Sequence, residues 1–468
     1  MHPVTDDELR RTIGTLMPDA LTRLAELVRL PSEFGADPER RRACADAAAL
    51  IVDALRDLDF PDPRAVPTSD GSLTVLARRQ GPPGAPTVLL YSHYDVQPEG
   101  TAADWTHPPF ELTRDGDRLY GRGAADCKGG VVAHLTALRA LGDACPVTIL
   151  FVGEGSEEQG GRGLDHYIRS HPAEFADVDA ALILDAANPG PGRPAIVTSL
   201  RGVVVSRVSV RTGTRILHSG TFGGAAPDAA MALIRILASL RDDTGDTVID
   251  DMPTPQIPHD ADHRADADYP EAAFRENAGL PAAGRVLGSD DIATQLWARP
   301  ALTVLATDLP ALGEAVPAIR PTARAVVNLR VPPGVPARLA SDLLTAHIRR
   351  HNPWNAEVDV EEVISSDPFT APADGPAHRT LAGALGAAHG RPAVTVGDGG
   401  SIPLCGTLRA VAPRAEILLF GISEPGSNIH AIDESVLLSD LEAAVVAEAM
   451  FLRDLGTDPR QRKEEEQT

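Results

Sequence analysis

The chain has 468 residues, of which 66 are acidic and 43 basic, giving a formal net charge of −23 at pH 7. This length exceeds that of a typical single domain, and the composition is that of a globular protein. The acidic excess disfavours nucleic acid and anionic membranes as partners, because phosphate binding needs a basic surface.

Local sequence patterns disfavour further classes of protein. Four scattered cysteines without a CxxC pair predict no disulfide framework and favour a cytoplasmic location. No apolar stretch reaches the roughly 18 residues that a membrane helix needs. The start of the chain lacks the basic and apolar segments of a secretory signal.

The first 200 residues alternate helical and strand-like patterns. Apolar spacing of three and four residues predicts helices over residues 16–29 and 38–57, and another helix is predicted at about 128–142. Strands that are apolar on both faces are typical of a mostly parallel sheet sandwiched by helices. The predicted strands are LTVLARR, PTVLLYSHYDV, PVTILFVGEG and AALILDA.

The pattern changes after Arg201. Strands with alternating apolar residues (GVVVSRVSVRTG, 301–307, 323–331 and NAEVDVEEV) combine with two helical stretches, 227–241 and ARLASDLLTAHIRR. They predict a separate two-layer α/β domain. Within it, residues 243–286 are rich in Asp, Pro and Ala, which favours a loop or a short irregular excursion over another core element.

The α/β pattern resumes near the end of the chain, with a helix at 378–389, the strand EILLFGIS and a last helix over 434–454. We therefore predict a catalytic α/β domain with an inserted second domain. The catalytic domain comprises residues 1–201 and 367–468, and the inserted domain comprises residues 202–366.

Five side chains with metal-binding chemistry follow apolar runs. Histidine nitrogen and carboxylate oxygen suit a zinc-like divalent ion, and in open α/β sheets ligands bind at the carboxyl ends of the strands. Five ligands are too many for one metal with an open position. They suit two metals that share a carboxylate and hold a water able to split an amide or ester. The five are His93, Asp126, Glu158, Asp185 and His430.

The candidate residues before the predicted helix at about 128–142 have structural alternatives. His93 could be a hydrogen-bonded histidine at a strand end. Asp95 lies two residues later, on the same side, and could accept the second ring N–H of His93. Asp126 precedes a predicted helix and could be its N-cap.

The later acids also have two interpretations. Glu157 and Glu158 could lie in a solvated loop. If they follow a buried strand, one must be neutralised by a cation, because burying two adjacent charges is costly. In that case Glu158 would bind metal and Glu157 would be a candidate general base. His430 precedes an apolar helix pattern, with Asp433 and Glu434 as possible first-turn acids.

Taken together, these motifs resemble those of a di-zinc peptidase and deacylase family. It contains carnosinases, acetylornithine deacetylase, succinyl-diaminopimelate desuccinylase, aminoacylase and glutamate carboxypeptidase. The resemblance covers about residues 15–455 and rests on motifs in family order: SHYDVQP, GRGAADCKGG, EGSEEQG, LILD, LHSGTFGG, DGGSIP and HAIDE. HSGxFGG and GGSIP are most similar to the carnosinase and cytosolic dipeptidase branch, which typically removes one residue from short peptides.

The resemblance implies two divalent metals per chain. His93 and Asp185 would hold one, Glu158 and His430 the other, and Asp126 would bridge them. Zinc is implied, with manganese or cobalt as alternatives.

Further roles are implied by the same resemblance. Glu157 matches the general base, and Asp95 matches the acid behind the first histidine. His218 matches a histidine that the inserted lid and dimerisation domain of one subunit sends into the site of the other, where it stabilises the oxyanion. An active homodimer is therefore expected. Arg330 matches an arginine that binds the substrate carboxylate. Gly400 and Ser401 match a loop that contacts the same end of the substrate.

The implied activity is hydrolysis of dipeptides or short peptides with a free carboxylate. The alternative is an N-acyl-amino-acid deacylase, which needs the same metals and carboxylate clamp. A non-catalytic binding relative would be expected to lack a ligand or the base, and none is missing. Two positions depart from the family pattern: Cys127 stands where carnosinase-like members commonly carry Asp, and Ile216 where related sequences often have Asp. The family has the Asp126–Cys127 peptide bond cis, and we expect the same.

Overall fold

The computed structural model describes residues 4–254 and 269–456. The chain forms two compact units. The first comprises Met1–Thr198, Ala371–Val396 and Pro403–Thr468, and the second comprises Ser199–Thr370 and Gly397–Ile402. Both units have the α/β architecture that the sequence predicts.

The first unit is built on a sheet with a parallel centre. Thr87–His93 pairs in parallel with Thr148–Glu154 and with Ala180–Leu184, which in turn pairs in parallel with Glu416–Phe420. The first three of these strands are buried along their whole length, as expected where both faces are covered. Antiparallel pairing occurs only towards the edges. Across the sheet the order is Arg64–Pro67, Leu73–Arg79, Thr148–Glu154, Thr87–His93, Ala180–Leu184, Glu416–Phe420 and Ala195–Leu200, and Val394–Asp398 pairs with the last.

The N-terminal helix, Asp6–Val28, starts earlier than its apolar pattern predicts. It begins at a capping box in which Thr5 and Glu8 accept each other's backbone N–H groups. The helix Lys128–Leu141 is almost entirely buried and packs against Asp6–Val28 and the C-terminal helix Leu438–Leu455. The remaining helices of this unit are Pro38–Arg56, Arg162–Ser170, Pro376–His389 and Pro403–Val411.

A small sheet in the first unit joins distant parts of the chain. Ser435–Leu437 pairs antiparallel with Arg118–Tyr120, which also pairs with Thr113–Asp115. This pairing brings the segment before Ser435 next to the segment after Tyr120, and both segments carry predicted ligands.

The second unit is a two-layer structure. Its antiparallel sheet has the order Ala301–Thr307, Thr322–Val331, Gly202–Arg211 and Glu357–Ser366. The helices Ala229–Ala238 and Ala337–Arg350 pack on it, with Val204, Leu233 and Leu344 in their common core.

The segment 243–286, predicted as a loop or a short irregular excursion rather than a core element, is described only in part. Its residues 255–268 lie outside the described residues, and Glu271–Asn277 forms a helix with no buried residue. The other short elements of the second unit are the helices Ser219–Phe222 and Ile292–Ala298 and the strands Leu217–His218, Ala318–Ile319 and Phe369–Thr370.

Two features that the sequence disfavours, a membrane-spanning helix and a disulfide bond, can be checked in the described residues. None of the helices within residues 4–254 and 269–456 is long and apolar enough to cross a bilayer. The four cysteines all lie in this range, and each is free and buried. The prediction that the chain has no disulfide framework is confirmed.

Candidate metal centre

The predicted ligands of the first unit meet at the carboxyl end of its parallel strands. His93 is the last residue of one central strand, and Asp185 directly follows the next. Glu158 lies in the short 3-10 turn Glu157–Gln159, just after a third strand. Asp126 and His430 come from loops, so five separate segments supply the cluster.

The Asp126 carboxylate lies between two histidines. Its Oδ1 is 2.9 Å from Nε2 of His93, and its Oδ2 is 2.9 Å from Nε2 of His430. Asp185 Oδ1 lies 3.6 Å from the same nitrogen of His93, and Glu158 Oε2 lies 3.2 Å from that of His430. Two groups of potential metal ligands therefore share Asp126.

Carboxylates outnumber cationic groups in this cluster. Burial raises the pKa of Asp185 to about 6, against the favourable charge of His93. Burial and the neighbouring Asp185 carboxylate raise the pKa of Glu157 well above its ordinary value. Hydrogen bonds to Asp126 and Glu158 raise the pKa of His430 to about 10. A divalent cation would supply positive charge that the side chains lack.

The donor atoms fit such a cation. Oε1 of Glu158 is buried and has no hydrogen-bond partner among the residues that the structure describes. An unpaired buried carboxylate oxygen is costly unless something positive meets it. The other oxygen accepts a hydrogen bond from Gln97 Nε2 at 2.8 Å. Imidazole nitrogen and carboxylate oxygen are ligands that zinc, manganese and cobalt accept.

Asp95 supports the site through its backbone as well as its carboxylate. Nδ1 of His93 is 3.0 Å from the backbone oxygen of Asp95 but 3.5 Å from its carboxylate. The carboxylate instead accepts the backbone N–H groups of Glu157 and Glu158, each at 3.1 Å. It therefore fixes the turn that carries both glutamates, and the backbone carbonyl orients the His93 ring.

The structural alternatives for the acids do not hold. The N-cap of Lys128–Leu141 is Cys127, and no side chain caps that helix end, so Asp126 is not the N-cap. The Glu158 side chain is only 4% exposed, which excludes a solvated loop for this residue. The Asp126–Cys127 peptide bond is cis, as expected. The Cys127 thiol lies within the His93 group and donates to the Leu184 carbonyl at 2.8 Å.

The other predicted residues lie in the second unit. His218 is exposed, and its Nδ1 accepts the backbone N–H of Gly220 at 3.2 Å. This bond leaves Nε2 as the protonated nitrogen of the neutral ring.

Arg330 belongs to a charged cluster on the same unit. Burial lowers the pKa of Arg330, and the Asp398 carboxylate opposes this shift. Arg201 was not predicted; burial and then the charge of Arg330 lower its pKa to about 10. Its Nε donates to the Gly399 carbonyl at 3.3 Å, and Asp398 accepts the N–H of Gly400 at 2.6 Å. The cluster has two guanidinium charges for one carboxylate, an arrangement that favours an anion.

Comparison with known proteins shows the family of this chain. The chain belongs to the peptidase family M20/M25/M40, whose family model matches residues 89–454. It is similar to the cysteinylglycine-S-conjugate dipeptidase of Corynebacterium striatum, with 39% identity over 96% of this chain and 99% of that protein. It is also similar to the Beta-Ala-His dipeptidase of Rattus norvegicus, with 26% identity over 93% of this chain and 92% of that protein. The predicted resemblance to this family and its carnosinase-like branch is confirmed.

Solved structures show the same fold. The dipeptidase Dug1p of Saccharomyces cerevisiae matches with a TM-score of 0.86 at 23% identity, covering 98% of this chain and 100% of that one. Human carnosine dipeptidase 1 matches with a TM-score of 0.85 at 22% identity, covering 97% of this chain and 100% of that one. The predicted α/β fold class is confirmed.

Proposed function

We propose that this chain is a dipeptidase that hydrolyses the amide bond of dipeptides or short peptides with the help of two divalent metal ions. The observation that carries the two-metal proposal is the position of Asp126. Its two oxygens face two different histidines at the same distance, 2.9 Å. Family membership and the similarity to a dipeptidase over nearly the full length of both chains support the substrate class.

Each ligand group would hold one cation. His93 and Asp185 would bind the first, Glu158 and His430 the second, and Asp126 would serve both. When bound, a pair of such cations lowers the pKa of a water molecule and polarises the scissile carbonyl. Zinc is our first choice, with manganese or cobalt as alternatives, because all three accept this mixture of imidazole and carboxylate.

Glu157 is the proposed general base. It belongs to none of the potential ligand groups found among the described residues, which leaves its carboxylate free to exchange protons. It takes a proton from the attacking water and passes it to the departing amine nitrogen. Asp95 holds the Glu157 backbone in place for this transfer.

Residues of the second unit are assigned to the substrate. His218 donates from Nε2 to the oxyanion that develops on the carbonyl oxygen. Arg330 binds the substrate carboxylate, and Gly400 and Ser401 line the same end. The family resemblance implies that His218 acts on the site of a second subunit. We therefore propose that the active unit is a homodimer, that residues 1–201 and 367–468 form the catalytic domain, and that residues 202–366 form the lid and dimerisation domain.

The test is a substrate panel on protein reconstituted separately with zinc, manganese and cobalt. The panel contains an S-alkylated Cys-Gly, β-Ala-His and other dipeptides, tripeptides, and N-acetyl and N-succinyl amino acids. The proposal expects dipeptides to give the highest kcat/KM. Preferential cleavage of N-acyl amino acids would overturn it in favour of the deacylase alternative.

A further inference from the structure

A buried ion pair joins the two loops that carry Asp126 and His430. Arg122 Nη1 lies 2.7 Å from Glu434 Oε2, and the two side chains are 2% and 1% exposed. The sequence predicts Glu434 in the first turn of a helix, but that helix begins at Leu438. A buried ion pair by itself is weak evidence of a gain in stability, because the cost of desolvating both charges opposes their attraction. Its structural role must therefore be read from the other contacts of the two residues.

Glu434 holds the backbone that leads to Asp126. Its Oε1 accepts the N–H groups of Ala125 at 3.0 Å and of Asp126 at 3.1 Å. Its Oε2 accepts the N–H of Gly123 at 3.0 Å in addition to the bond from Arg122. One carboxylate thus accepts three backbone N–H groups from a single loop, and the last of them belongs to the candidate shared ligand.

Arg122 holds the backbone next to His430. Its Nη2 donates to the carbonyl of Ala431 at 2.9 Å and to that of Pro98 at 3.2 Å. Its guanidinium also lies over the Trp105 ring, 5.2 Å from the ring centre. The planar guanidinium therefore reaches Glu434 and the His430 loop at the same time, which a lysine could not do with one ammonium.

The His430 loop has an uncommon backbone conformation. Asn428, His430 and Asp433 have φ values of 52°, 62° and 56°, a left-handed conformation that is uncommon for non-glycine residues and that Asn, His and Asp adopt more readily than the others. Asp433 is held by hydrogen bonds from the N–H and hydroxyl of Thr106 at 2.7 and 2.9 Å.

We infer that Arg122 and Glu434 are positioning residues that set the distance between Asp126 and His430. The inference rests on the proposed function, because it assigns these two residues to one cation site. Neither positioning residue belongs to the ligand groups found in the described chain. They act on the cation only through the loops that they join.

The test measures zinc binding directly. Full-length protein is stripped with a chelator, and zinc affinities are measured by competition with a chromophoric chelator. Glu434→Gln keeps the volume but turns an acceptor into an amide donor that faces N–H groups. We expect one zinc to bind about 10- to 100-fold more weakly, the usual effect of losing a residue that orients a ligand. Arg122→Lys, which keeps the charge, should weaken the same zinc.

A matched control separates positioning from general stability. Glu448 accepts a bond from His134 at 2.8 Å, and both side chains are 0% exposed. This pair is equally buried in the same unit. His134 Nε2 lies 3.0 Å from the backbone oxygen of Tyr91, so the pair is joined to a strand rather than to the loops of Asp126 and His430. Glu448→Gln should leave both zinc affinities unchanged. Circular dichroism of the metal-free variants checks folding. If metal-free Glu434→Gln lacks the wild-type spectrum, the zinc affinity of Arg122→Lys decides the test.

Three results would overturn the inference. The first is wild-type zinc affinity in Arg122→Lys or in a folded Glu434→Gln. The second is equal weakening in Glu434→Gln and Glu448→Gln, which would indicate loss of stability alone. The third is a wild-type chain that binds fewer than two zinc ions, which would overturn the proposed function as well. Only this third result bears on the two-metal proposal.

Discussion

The carboxylate of Asp95 accepts the backbone N–H of Glu157 at 3.1 Å, and its second oxygen accepts the N–H of Glu158 at the same distance. Two adjacent glutamates are thereby held in one turn with different surroundings. Glu158 lies 3.2 Å from His430 and belongs to a ligand group, whereas Glu157 belongs to none of the potential ligand groups among the described residues. Their roles can therefore be separated by matched substitutions.

Glu157→Gln should retain both metals and lose turnover. The amide has almost the same shape but cannot accept a proton from water, so kcat should fall by about 100- to 10,000-fold. Steady-state kinetics and elemental analysis of the same preparation measure both quantities. Glu158→Gln is the matched control, and it should lose metal from one site. The opposite pattern in the two variants would reverse the assignment within the pair.

Removal of metal should abolish activity and lower thermal stability together. Without cations, the buried Glu158 oxygen and the clustered carboxylates lose the positive charge that offsets their burial. We expect two divalent ions per chain before chelation, a lower Tm afterwards, and recovery of both activity and Tm on adding zinc. Elemental analysis that finds at most one bound metal in fully active protein would contradict the two-metal proposal.

The sequence locates the strand ends well because burial on both faces leaves a strong apolar signal. His93 and Asp185 can therefore be assigned to one sheet edge from the sequence alone. The same sequence does not reveal which backbone groups a side chain serves. Glu434 bonds to Asp126 across 308 positions of the chain, and no local pattern indicates such a partner.

Other differences between the predicted and the observed structure also have local causes. The helix Pro403–Val411 was not predicted, because its short apolar stretch directly follows the glycines of DGGSIP. Asp95 was expected to accept from the His93 ring, but the backbone carbonyl lies closer to the ring nitrogen than the carboxylate does. In each case the residue types could be read from the sequence, but the local geometry could not.

Arg330→Met should weaken recognition of the substrate carboxylate. A hydrogen bond to a charged group contributes about 1.5–3 kcal/mol, so kcat/KM for a dipeptide should fall by roughly 10- to 100-fold, mainly through KM. The same dipeptide with a C-terminal amide should be cleaved poorly by wild type, and the substitution should affect it little.

Arg207→Met is the control for that substitution. Arg207 lies on a strand of the same sheet and pairs at 2.6 Å with Glu361, with both side chains about half exposed. Its loss should leave kcat/KM unchanged for both substrates. If Arg330→Met lowers cleavage of the dipeptide and its amide equally, Arg330 does not bind the carboxylate.

Mixing two inactive variants should restore activity if His218 acts across a dimer. His218 is exposed, and its Nδ1 accepts the Gly220 N–H, so Nε2 is the nitrogen that can donate. Loss of one oxyanion donor typically lowers kcat by about 100- to 1000-fold. In a heterodimer of His218→Ala and Glu157→Gln chains, one site keeps both Glu157 and the donor from the other subunit. Activity should therefore return in part once subunits exchange, as followed by mass measurement of differently tagged chains. Complete exchange without any gain in activity would show that His218 serves its own chain or takes no part in catalysis.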